Sequence, residues 1–429
     1  MSYRRLSLFI FVVSVLLSPL LQARAADWPQ WRGSNRDGRS NETGLLKEWP
    51  KDGPRLIWQV TDLGDGFSTP AVAGGRIYLM TNKGLEDEFV TARNGNDGGP
   101  LWSTRIGKVG NPDQQPSYPA ARSTPTVDGA LLYALGSDGD LACLEIATGK
   151  ARWQKSLRAD FGGEPGTWAY SESPLVDGDV LICTPGGKQA SLLALDKNTG
   201  EVVWKCAAPG GARAGYSSIV VTDAGGVRQY IAYTGDGLLG VEAKTGKFLW
   251  RYDRTTGPVG MSVLTPVVSE GLVYSGNDRL GGAAVRPAAS GGGVKAEEVY
   301  RGAKLPRMIG GAVKVDDFLY GSGGQTLVCA EFKTGQIRWA ERSVAPAAVC
   351  YAEGRLYLHA ESGEVALVEA TPEEYREHGR FTPPNPPDDR ANAQEKAWAH
   401  PVIADGRLYI RDADCLWCYD IKISDRDAR

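Results

Sequence analysis

One short phrase occurs four times along the chain, and it constrains the fold more than any other feature of the sequence. The stretch ALDKNTGEVVW at 194–204 holds a Thr-Gly turn, and Trp204 follows the glycine by four residues. The same spacing of turn and tryptophan recurs at Trp153, Trp250 and Trp339. A polar turn followed by a short apolar segment is typical of a β-hairpin. Because the phrase recurs, we predict that one hairpin-containing unit is repeated throughout the chain.

Alignment on this phrase gives eight units, each with three predicted strands. In the first unit these are STPAV at 68–72, RIYLM at 76–80 and FVTAR at 89–93. Seven units continue into a fourth strand that carries an aromatic residue, namely Trp102, Trp153, Trp204, Trp250, Tyr300, Trp339 and Phe381. The eighth unit ends without one, whereas RLIWQV at 55–60 has no partners of its own. We therefore predict an all-β fold, an eight-bladed β-propeller of four-stranded antiparallel blades, closed by the N-terminal strand 55–60.

The N-terminus is predicted to be a signal peptide covering residues 1–25. An arginine pair precedes the apolar run LSLFIFVVSVLLSPLL, and a small-x-small cleavage site ends at Ala25. The alternative is a transmembrane anchor, but the run is short and Pro19 interrupts it. We therefore expect an exported protein, periplasmic or extracellular, whose mature chain has no membrane span. Residues 26–54 would then form an N-terminal extension, and 55–429 the propeller.

Composition argues against several classes of partner and cofactor. The 48 Lys and Arg residues nearly balance 51 Asp and Glu residues, whereas nucleic-acid binding needs a concentrated basic surface. The three histidines show no spacing typical of zinc, so no metal site is predicted. The single Cys-x-x-Cys, Cys415–Cys418, is followed by Tyr419 instead of histidine, which excludes covalent haem. Cys143, Cys329 and Cys418 share one position of the third strand and are predicted to be packing residues. We expect a monomer.

The repeated phrase resembles a known family motif. ALDKNTGEVVW matches A-x-D-x-x-T-G-x-x-x-W, the tryptophan-docking motif of the PQQ-like (pyrroloquinoline quinone-type) β-propeller repeats. The resemblance covers essentially the whole mature chain, and DWPQWRGSNRDG is similar to a stretch in exported PQQ-like repeat proteins of planctomycete-type bacteria. The family includes the eight-bladed quinoprotein alcohol dehydrogenases and the non-enzymatic outer-membrane assembly factor BamB. The resemblance is specific for the fold and leaves the function open.

Two functions are consistent with this resemblance. The first is a binding module that takes a protein or a small-molecule ligand at its channel mouth. The second is a quinoprotein dehydrogenase that oxidises an alcohol, polyvinyl alcohol or a sugar and passes electrons to a separate carrier. For the second function the resemblance implies PQQ with Ca²⁺ as cofactors. The chain lacks the adjacent cysteine pair and the haem motif typical of those enzymes, so the binding module is the preferred interpretation.

Long loops lead from a fourth strand to the next first strand, and their last residues should ring one mouth of the channel. Aromatic side chains and arginines at this mouth suit a ligand with a flat or an anionic part, or a peptide. The candidate ligand-binding residues are Tyr118, Arg122, Trp168, Tyr170, Glu172, Arg213, Tyr216, Asn277, Asp278, Arg307 and His400, with Phe67, Met261 and Met308 beside them. The alternative interpretation is that these side chains pack against each other and fill the channel. Catalytic residues and Ca²⁺ ligands are not assigned.

We predict that the leader is removed on export. Mass spectrometry of the secreted protein should find an N-terminus near Ala26, because cleavage follows the small residue Ala25. A mature protein that still begins at Met1 would contradict this prediction.

Overall fold

The computed structural model describes residues 27–114, 120–257, 261–387 and 396–423, so the predicted signal peptide lies outside the described residues. Within these ranges the chain forms 33 strands in eight sheets, together with one short α-helix. Each sheet has four antiparallel strands, and one sheet gains a fifth, parallel strand. The predicted fold class, an all-β eight-bladed propeller, is confirmed. No helix of the described chain combines the length and the hydropathy needed to cross a membrane.

The strands follow one another blade by blade, each blade running from the channel outwards. Two strands, β1 (Arg39–Ser40) and β2 (Arg55–Val60), precede the first blade. Blade 1 comprises β3 (Ala71–Ala73), β4 (Arg76–Lys83), β5 (Asp87–Asn94) and β6 (Pro100–Lys108); blade 2 comprises β7 (Thr126–Asp128), β8 (Leu131–Leu135), β9 (Asp140–Glu145) and β10 (Ala151–Ser156). Blade 3 comprises β11 (Leu175–Asp177), β12 (Val180–Cys183), β13 (Leu192–Asp196) and β14 (Val202–Cys206); blade 4 comprises β15 (Val220–Thr222), β16 (Gln229–Thr234), β17 (Gly237–Glu242) and β18 (Phe248–Tyr252).

The second half of the ring repeats this arrangement. Blade 5 comprises β19 (Val267–Ser269), β20 (Leu272–Asn277), β21 (Gly281–Ser290) and β22 (Gly293–Gly302); blade 6 comprises β23 (Ala312–Val315), β24 (Phe318–Ser322), β25 (Leu327–Glu331) and β26 (Ile337–Glu341). Blade 7 comprises β27 (Ala347–Ala352), β28 (Arg355–Ala360), β29 (Val365–Glu369) and β30 (Glu377–Phe381); blade 8 contains β31 (Val402–Ala404), β32 (Arg407–Asp412) and β33 (Cys415–Asp420). The helix α1 (Leu157–Phe161) follows β10, and a 3-10 turn (Ala224–Gly226) follows β15.

The ring is closed by the N-terminal strand β2. This strand pairs antiparallel with β33 and becomes the outermost strand of blade 8. Trp58 of β2 lies opposite Cys418, just as Trp153 lies opposite Cys143 in blade 2. Without β2, the outer side of β33 would present an unpaired strand edge. The predicted closing strand is therefore confirmed.

In most blades, the aromatic side chain of the outer strand forms a hydrogen bond to the next blade. Trp102 of blade 1 donates from Nε1 to the carbonyl oxygen of Ile146, just after the third strand of blade 2, over 3.1 Å. The same bond to the following blade joins Trp58 to Gly95, Trp153 to Lys197, Trp204 to Ala243, Trp339 to Thr371 and, through its hydroxyl, Tyr300 to Phe332. Because a buried indole N–H needs an acceptor, these bonds help to fix how neighbouring blades sit together.

The Thr-Gly turn of the repeat is explained by the same aromatic side chain. Gly149 of blade 2 has a φ of 72°, and a Cβ atom added there would lie 2.4 Å from the Trp102 ring. The turn glycine lies against the ring of the preceding blade in the same way in the pairs Gly98–Trp58, Gly200–Trp153, Gly246–Trp204 and Gly335–Tyr300. Glycine is required because it accepts the left-handed backbone and leaves room for the ring.

Residues 27–49, which we call the plug, run across the channel of the propeller. Its contacts with the inner edges of the blades are Trp28–Val72 in blade 1, Pro29–Val127 in blade 2, Arg36–Pro174 in blade 3, Trp31–Thr265 in blade 5, Arg32–Ala312 in blade 6, β1–β27 in blade 7 and Ser40–Ile403 in blade 8. Contacts with so many blades place this segment inside the ring. The boundaries predicted for the extension and the propeller stay predictions.

All seven cysteines lie within the described residues, and each is buried and unbridged. Cys143, Cys329 and Cys418 lie opposite Trp153, Trp339 and Trp58, and Ala194 and Gly240 take this place opposite Trp204 and Trp250. A small side chain therefore faces the aromatic residue at this position. Burial raises the pKa of the Cys143 and Cys329 thiols to about 11, which keeps them protonated and unreactive at neutral pH.

We predict that Gly149→Ala destabilises the protein by about 1–3 kcal/mol more than Gly129→Ala. Both glycines have a positive φ, 72° and 59°, so both variants carry a similar backbone strain. Only Gly149 faces the Trp102 ring, since a Cβ atom at Gly129 would meet no heavy atom within 4 Å. Urea unfolding of the two variants measures the difference. Equal midpoints would show that the ring contact does not constrain the turn.

Candidate functional site

A cavity of about 300 Å³ lies at one mouth of the channel, where loops enter the innermost strands. Its lining residues are Trp31, Phe67, Arg122, Trp168, Ser171, Tyr216, Met261, Val263, Ile309, Trp398 and His400. All of them except Trp31 lie in segments that lead into the first strand of a blade. Trp31 belongs to the plug, which closes the cavity on the channel side. The cavity is therefore a blind pocket in the sense that Trp31 closes it on the channel side.

The floor of the cavity is held in place by polar contacts. Trp31 donates from Nε1 to the hydroxyl of Thr265 over 2.9 Å, and its ring stands edge-on to His400 with centroids 4.5 Å apart. The backbone N–H of His400 donates to the hydroxyl of Thr69 over 2.9 Å. Burial, with the neighbouring Arg32 charge, holds the pKa of His400 well below its usual range. The imidazole is therefore neutral at pH 7 and adds no charge to the floor.

Two aromatic pairs form much of the wall. Trp168 and Tyr216 lie with ring centroids 6.0 Å apart, and the backbone N–H of Trp168 donates to the Tyr216 hydroxyl over 3.2 Å. Phe67 and Trp398 lie with centroids 5.0 Å apart, and Trp398 donates from Nε1 to Glu361 over 3.1 Å. Both pairs are tilted, which leaves ring faces and edges turned towards the cavity. Together with the aliphatic residues, they make its surface predominantly apolar.

Arg122 brings the one positive charge to the lining described here. Its Nη1 atom is buried and makes no hydrogen bond within the described residues. Burial lowers the pKa of this guanidinium to about 10, with the nearby Glu88 acting in the opposite direction. Glu88 is fully buried, and both of its oxygens accept from Ser137, at 2.7 Å from the backbone N–H and 2.5 Å from the hydroxyl. Glu88 therefore offsets the Arg122 charge only in part, and its oxygens are held by Ser137.

Four of the candidate residues from the sequence line the cavity, namely Arg122, Trp168, Tyr216 and His400. Tyr170 lies close in sequence but is buried among Leu157 and Phe161 of α1, and its hydroxyl donates to Pro185 over 2.8 Å. Ser156 caps the start of this helix, where its hydroxyl accepts from the Ala159 N–H. Tyr170 thereby anchors the loop that carries Trp168, instead of presenting its ring to the cavity.

The remaining candidates lie elsewhere. Glu172 is buried and accepts a bond from the backbone N–H of Thr184, and Arg213 pairs with Asp236 at 2.7 Å. Asn277 is used within its own turn, where it accepts from the backbone N–H groups of Arg279 and Leu280, and its amide donates to Met261. Asp278 and Arg307 do not line the cavity, and Tyr118 lies outside the described residues.

Sequence reasoning missed five lining residues, Trp31, Ser171, Val263, Ile309 and Trp398. Trp31 lies in the N-terminal segment, which carries no repeat and therefore no register that could place it in the channel. Of the residues named beside the candidates, Phe67 and Met261 line the cavity and Met308 does not. Ser171 could have been found from the sequence, because side chains alternate between two sides along an extended segment. Its neighbours Tyr170 and Glu172 both point away from the cavity.

The residues at the cavity do not fit Ca²⁺ and PQQ bound in the manner of a quinoprotein dehydrogenase. Such a site needs carboxylate and amide oxygens gathered beside the quinone. Oε1 of Glu172 and Oδ1 of Asn277 accept backbone N–H groups, and neither residue lines the cavity. The described residues contain no cluster of three or more His, Cys, Asp or Glu side chains arranged to hold a metal ion. No oxygen ligand set is therefore assembled around this cavity.

The chain is similar to known proteins in sequence and in fold. The family profile described as outer membrane protein assembly factor BamB matches residues 40–184 and 86–339. The assembly factor BamB of Nitrosomonas eutropha is 26% identical over 219 residues, which are 51% of this chain and 46% of that relative, and BamB of Yersinia pestis is 23% identical over 199 residues, 46% of this chain and 45% of that relative. This chain thus spans about half the length of the curated relatives it matches.

Two solved structures are similar in fold. BamB from Moraxella catarrhalis superposes with a TM-score of 0.60 at 15% identity, covering 86% of this chain and 100% of that one. Quinohemoprotein alcohol dehydrogenase from Comamonas testosteroni superposes with a TM-score of 0.51 at 12% identity, covering 93% of this chain and 81% of that one. At these identities the likeness concerns the fold alone.

We predict that Glu172→Gln stabilises the protein increasingly as the pH rises. Burial raises the pKa of Glu172 to about 7, from 4.5 in an unfolded chain. The folded protein therefore takes up a proton between these values, and ionisation of Glu172 opposes folding as the pH rises through this range. Gln stays neutral and keeps an oxygen for the Thr184 N–H. Melting temperatures of both proteins at about pH 5.5 and about pH 8.5 measure the effect, and a difference that does not change with pH would contradict it.

Proposed function

We propose that this chain, which belongs to the family described as outer membrane protein assembly factor BamB, is an exported β-propeller that acts as a binding module. It takes a small ligand, or a segment of a partner protein, into the cavity at the channel mouth. In this function the eight blades are a rigid support, and the loops between blades form the recognition surface.

The observation that carries this proposal is the blind pocket at the mouth. Its wall is made of aromatic pairs, its floor is Trp31, and it carries few polar groups. A concave, mostly apolar pocket with a small number of placed polar groups is the usual form of a ligand site. A purely structural channel would instead be filled by its own side chains. Here Trp31 of the plug forms the floor and the mouth cavity above it is left open.

The alternative, a quinoprotein dehydrogenase, has less support. The likeness to solved dehydrogenases extends to the fold and carries no site residue with it. Of the oxygen-bearing candidates, Glu172 accepts a bond through Oε1 from Thr184 and Asn277 bonds within its own turn, and neither residue lines the cavity. The description of the relatives as outer membrane assembly factors supports an exported location, and the predicted signal peptide at 1–25 agrees with it.

We predict that small aromatic compounds bind at the mouth and that Trp168→Ala weakens them by about tenfold, since a buried aromatic contact is worth on the order of 1.4 kcal/mol. Ligand-observed NMR with a library of single-ring and indole compounds identifies binders, and titration gives their affinities. The matched control is Leu101→Ala, which removes an exposed apolar side chain on the outer strand β6. The proposal fails if no compound binds, or if Trp168→Ala and Leu101→Ala have the same effect.

An activity assay of the same protein with added PQQ and Ca²⁺ distinguishes the two functions. A binding module should show no dye-linked oxidation of alcohols or sugars under these conditions. Turnover that requires PQQ and is abolished by Glu172→Gln or Asp278→Asn would favour the dehydrogenase.

A further inference from the structure

We infer that the mouth cavity selects ligands in which a compact apolar ring carries a single carboxylate, and that Arg122 receives this carboxylate. The inference rests on the proposed binding function and names the chemistry that the site would recognise.

The charges around the cavity point to an anion. Arg122 is the one cation in the described lining, and His400 is neutral at pH 7. A buried guanidinium nitrogen without a hydrogen bond is costly, and the Arg122 Nη1 atom is in this state within the described residues. A carboxylate in the cavity would supply the missing acceptor and the opposite charge together. The planar fork of arginine matches the two oxygens of a carboxylate, which makes this the favoured anionic group.

Glu88 does not serve as the hydrogen-bond acceptor of Arg122 in place of a ligand. Both of its oxygens are held by Ser137 on the β8–β9 turn. Burial also raises the pKa of Glu88 to about 7, so this carboxyl is only partly ionised at neutral pH. The Arg122 charge therefore remains incompletely neutralised in the protein without ligand. Arg213 offers a contrast on the same side of the propeller, because Asp236 bonds to its side chain at 2.7 Å and 3.1 Å.

The size and the wall of the cavity define the rest of the ligand. A volume of about 300 Å³ lies at the lower end of the range for small-molecule sites. One ring system with a short arm fills this space, whereas a larger polycyclic group would extend out of the mouth. Trp168, Tyr216, Phe67 and Trp398 offer ring faces and edges to such a group. A single cation also favours one negative charge over several.

The test compares 3-(indol-3-yl)propionate with its amide, which has the same shape and no charge. By calorimetric titration, we expect the acid to bind the mature protein at least about tenfold more tightly than the amide. Arg122→Gln should lower the affinity for the acid to that for the amide and leave the amide within about twofold. Arg213→Gln is the matched control, and it should change neither affinity. Thermal melting of each variant establishes that it is folded.

The outcomes separate this inference from the proposed function. If the acid and the amide bind equally, the inference is wrong while the binding function stands. If neither compound binds while compounds of the aromatic library do, the inference is wrong, and if the library yields no binder either, the proposed function itself fails. If Arg122→Gln unfolds, Arg122→Lys replaces it. That variant keeps the charge but loses the fork, and it should reduce the preference for the acid. An unchanged preference in the folded Lys variant would show that the Arg122 fork does not receive the carboxylate.

The carboxylate could belong to a free acid or to the C-terminus of a polypeptide. Acetyl-Gly-Gly-Phe with a free and with an amidated C-terminus distinguishes these sources. Tighter binding of the free peptide acid than of indolepropionate assigns the site to a chain end, and the reverse order assigns it to a small acid. Equal binding of both peptide forms, together with equal binding of indolepropionate and its amide, would overturn the inference for both sources.

Discussion

The contact between an aromatic ring and the turn glycine of the next blade is the constraint on which the rest of the structure depends. A blade cannot cover both of its faces alone, so its stability comes from its neighbours. Blade 5 differs, because its turn glycines Gly291 and Gly292 lie away from the Trp250 ring of the preceding blade. Its outer strands β21 and β22 continue into a long hairpin, and Trp250 of blade 4 donates to Gln229 of its own blade over 2.7 Å. Trp250 stays buried against blade 5, but it makes its hydrogen bond within its own blade, whereas Trp339 donates to blade 7 without a turn glycine against its ring among the described residues.

The N-terminal segment makes three contributions to the fold that the repeated units do not make. It plugs the channel, closes the ring through β2, and provides the turn glycine of the last blade. Gly53 has a φ of 82°, and a Cβ atom there would lie 2.5 Å from the Phe381 ring of blade 7. At the end of the plug, Trp49 packs edge-on against Tyr357 and Phe381 with centroids 5.9 and 5.3 Å away. The floor of the cavity is thus tied to the closure of the ring.

The sequence predicts the ring well and the cavity only in part, for physical reasons. Strand period and turn chemistry repeat, so the blades and the closing strand could be counted. Arg122 and Trp168 could be placed because the position of a loop end follows from the blade order. The position of the Glu172 side chain could not be predicted in this way. Neighbouring side chains along an extended segment point to opposite sides, so an error of one residue reverses the prediction. The position of Trp31 could not be predicted, because it depends on a segment that contacts blades far away in sequence.

The depth of the cavity follows from the backbone chemistry of the ring. The innermost strands turn one edge towards the channel, and carbonyl groups on that edge need donors. Arg36 donates to Ser173 and Pro174, and Arg32 to Ala312, while both arginines are almost fully buried. Burial lowers the pKa of both guanidinium groups to about 10, yet charged donors on carbonyl oxygens offset this cost. A ligand that displaced the plug would leave these groups without partners. A group bound in the proposed way would therefore reach Trp31 and stop there, which suits the recognition of a terminal group rather than the passage of a chain through the ring.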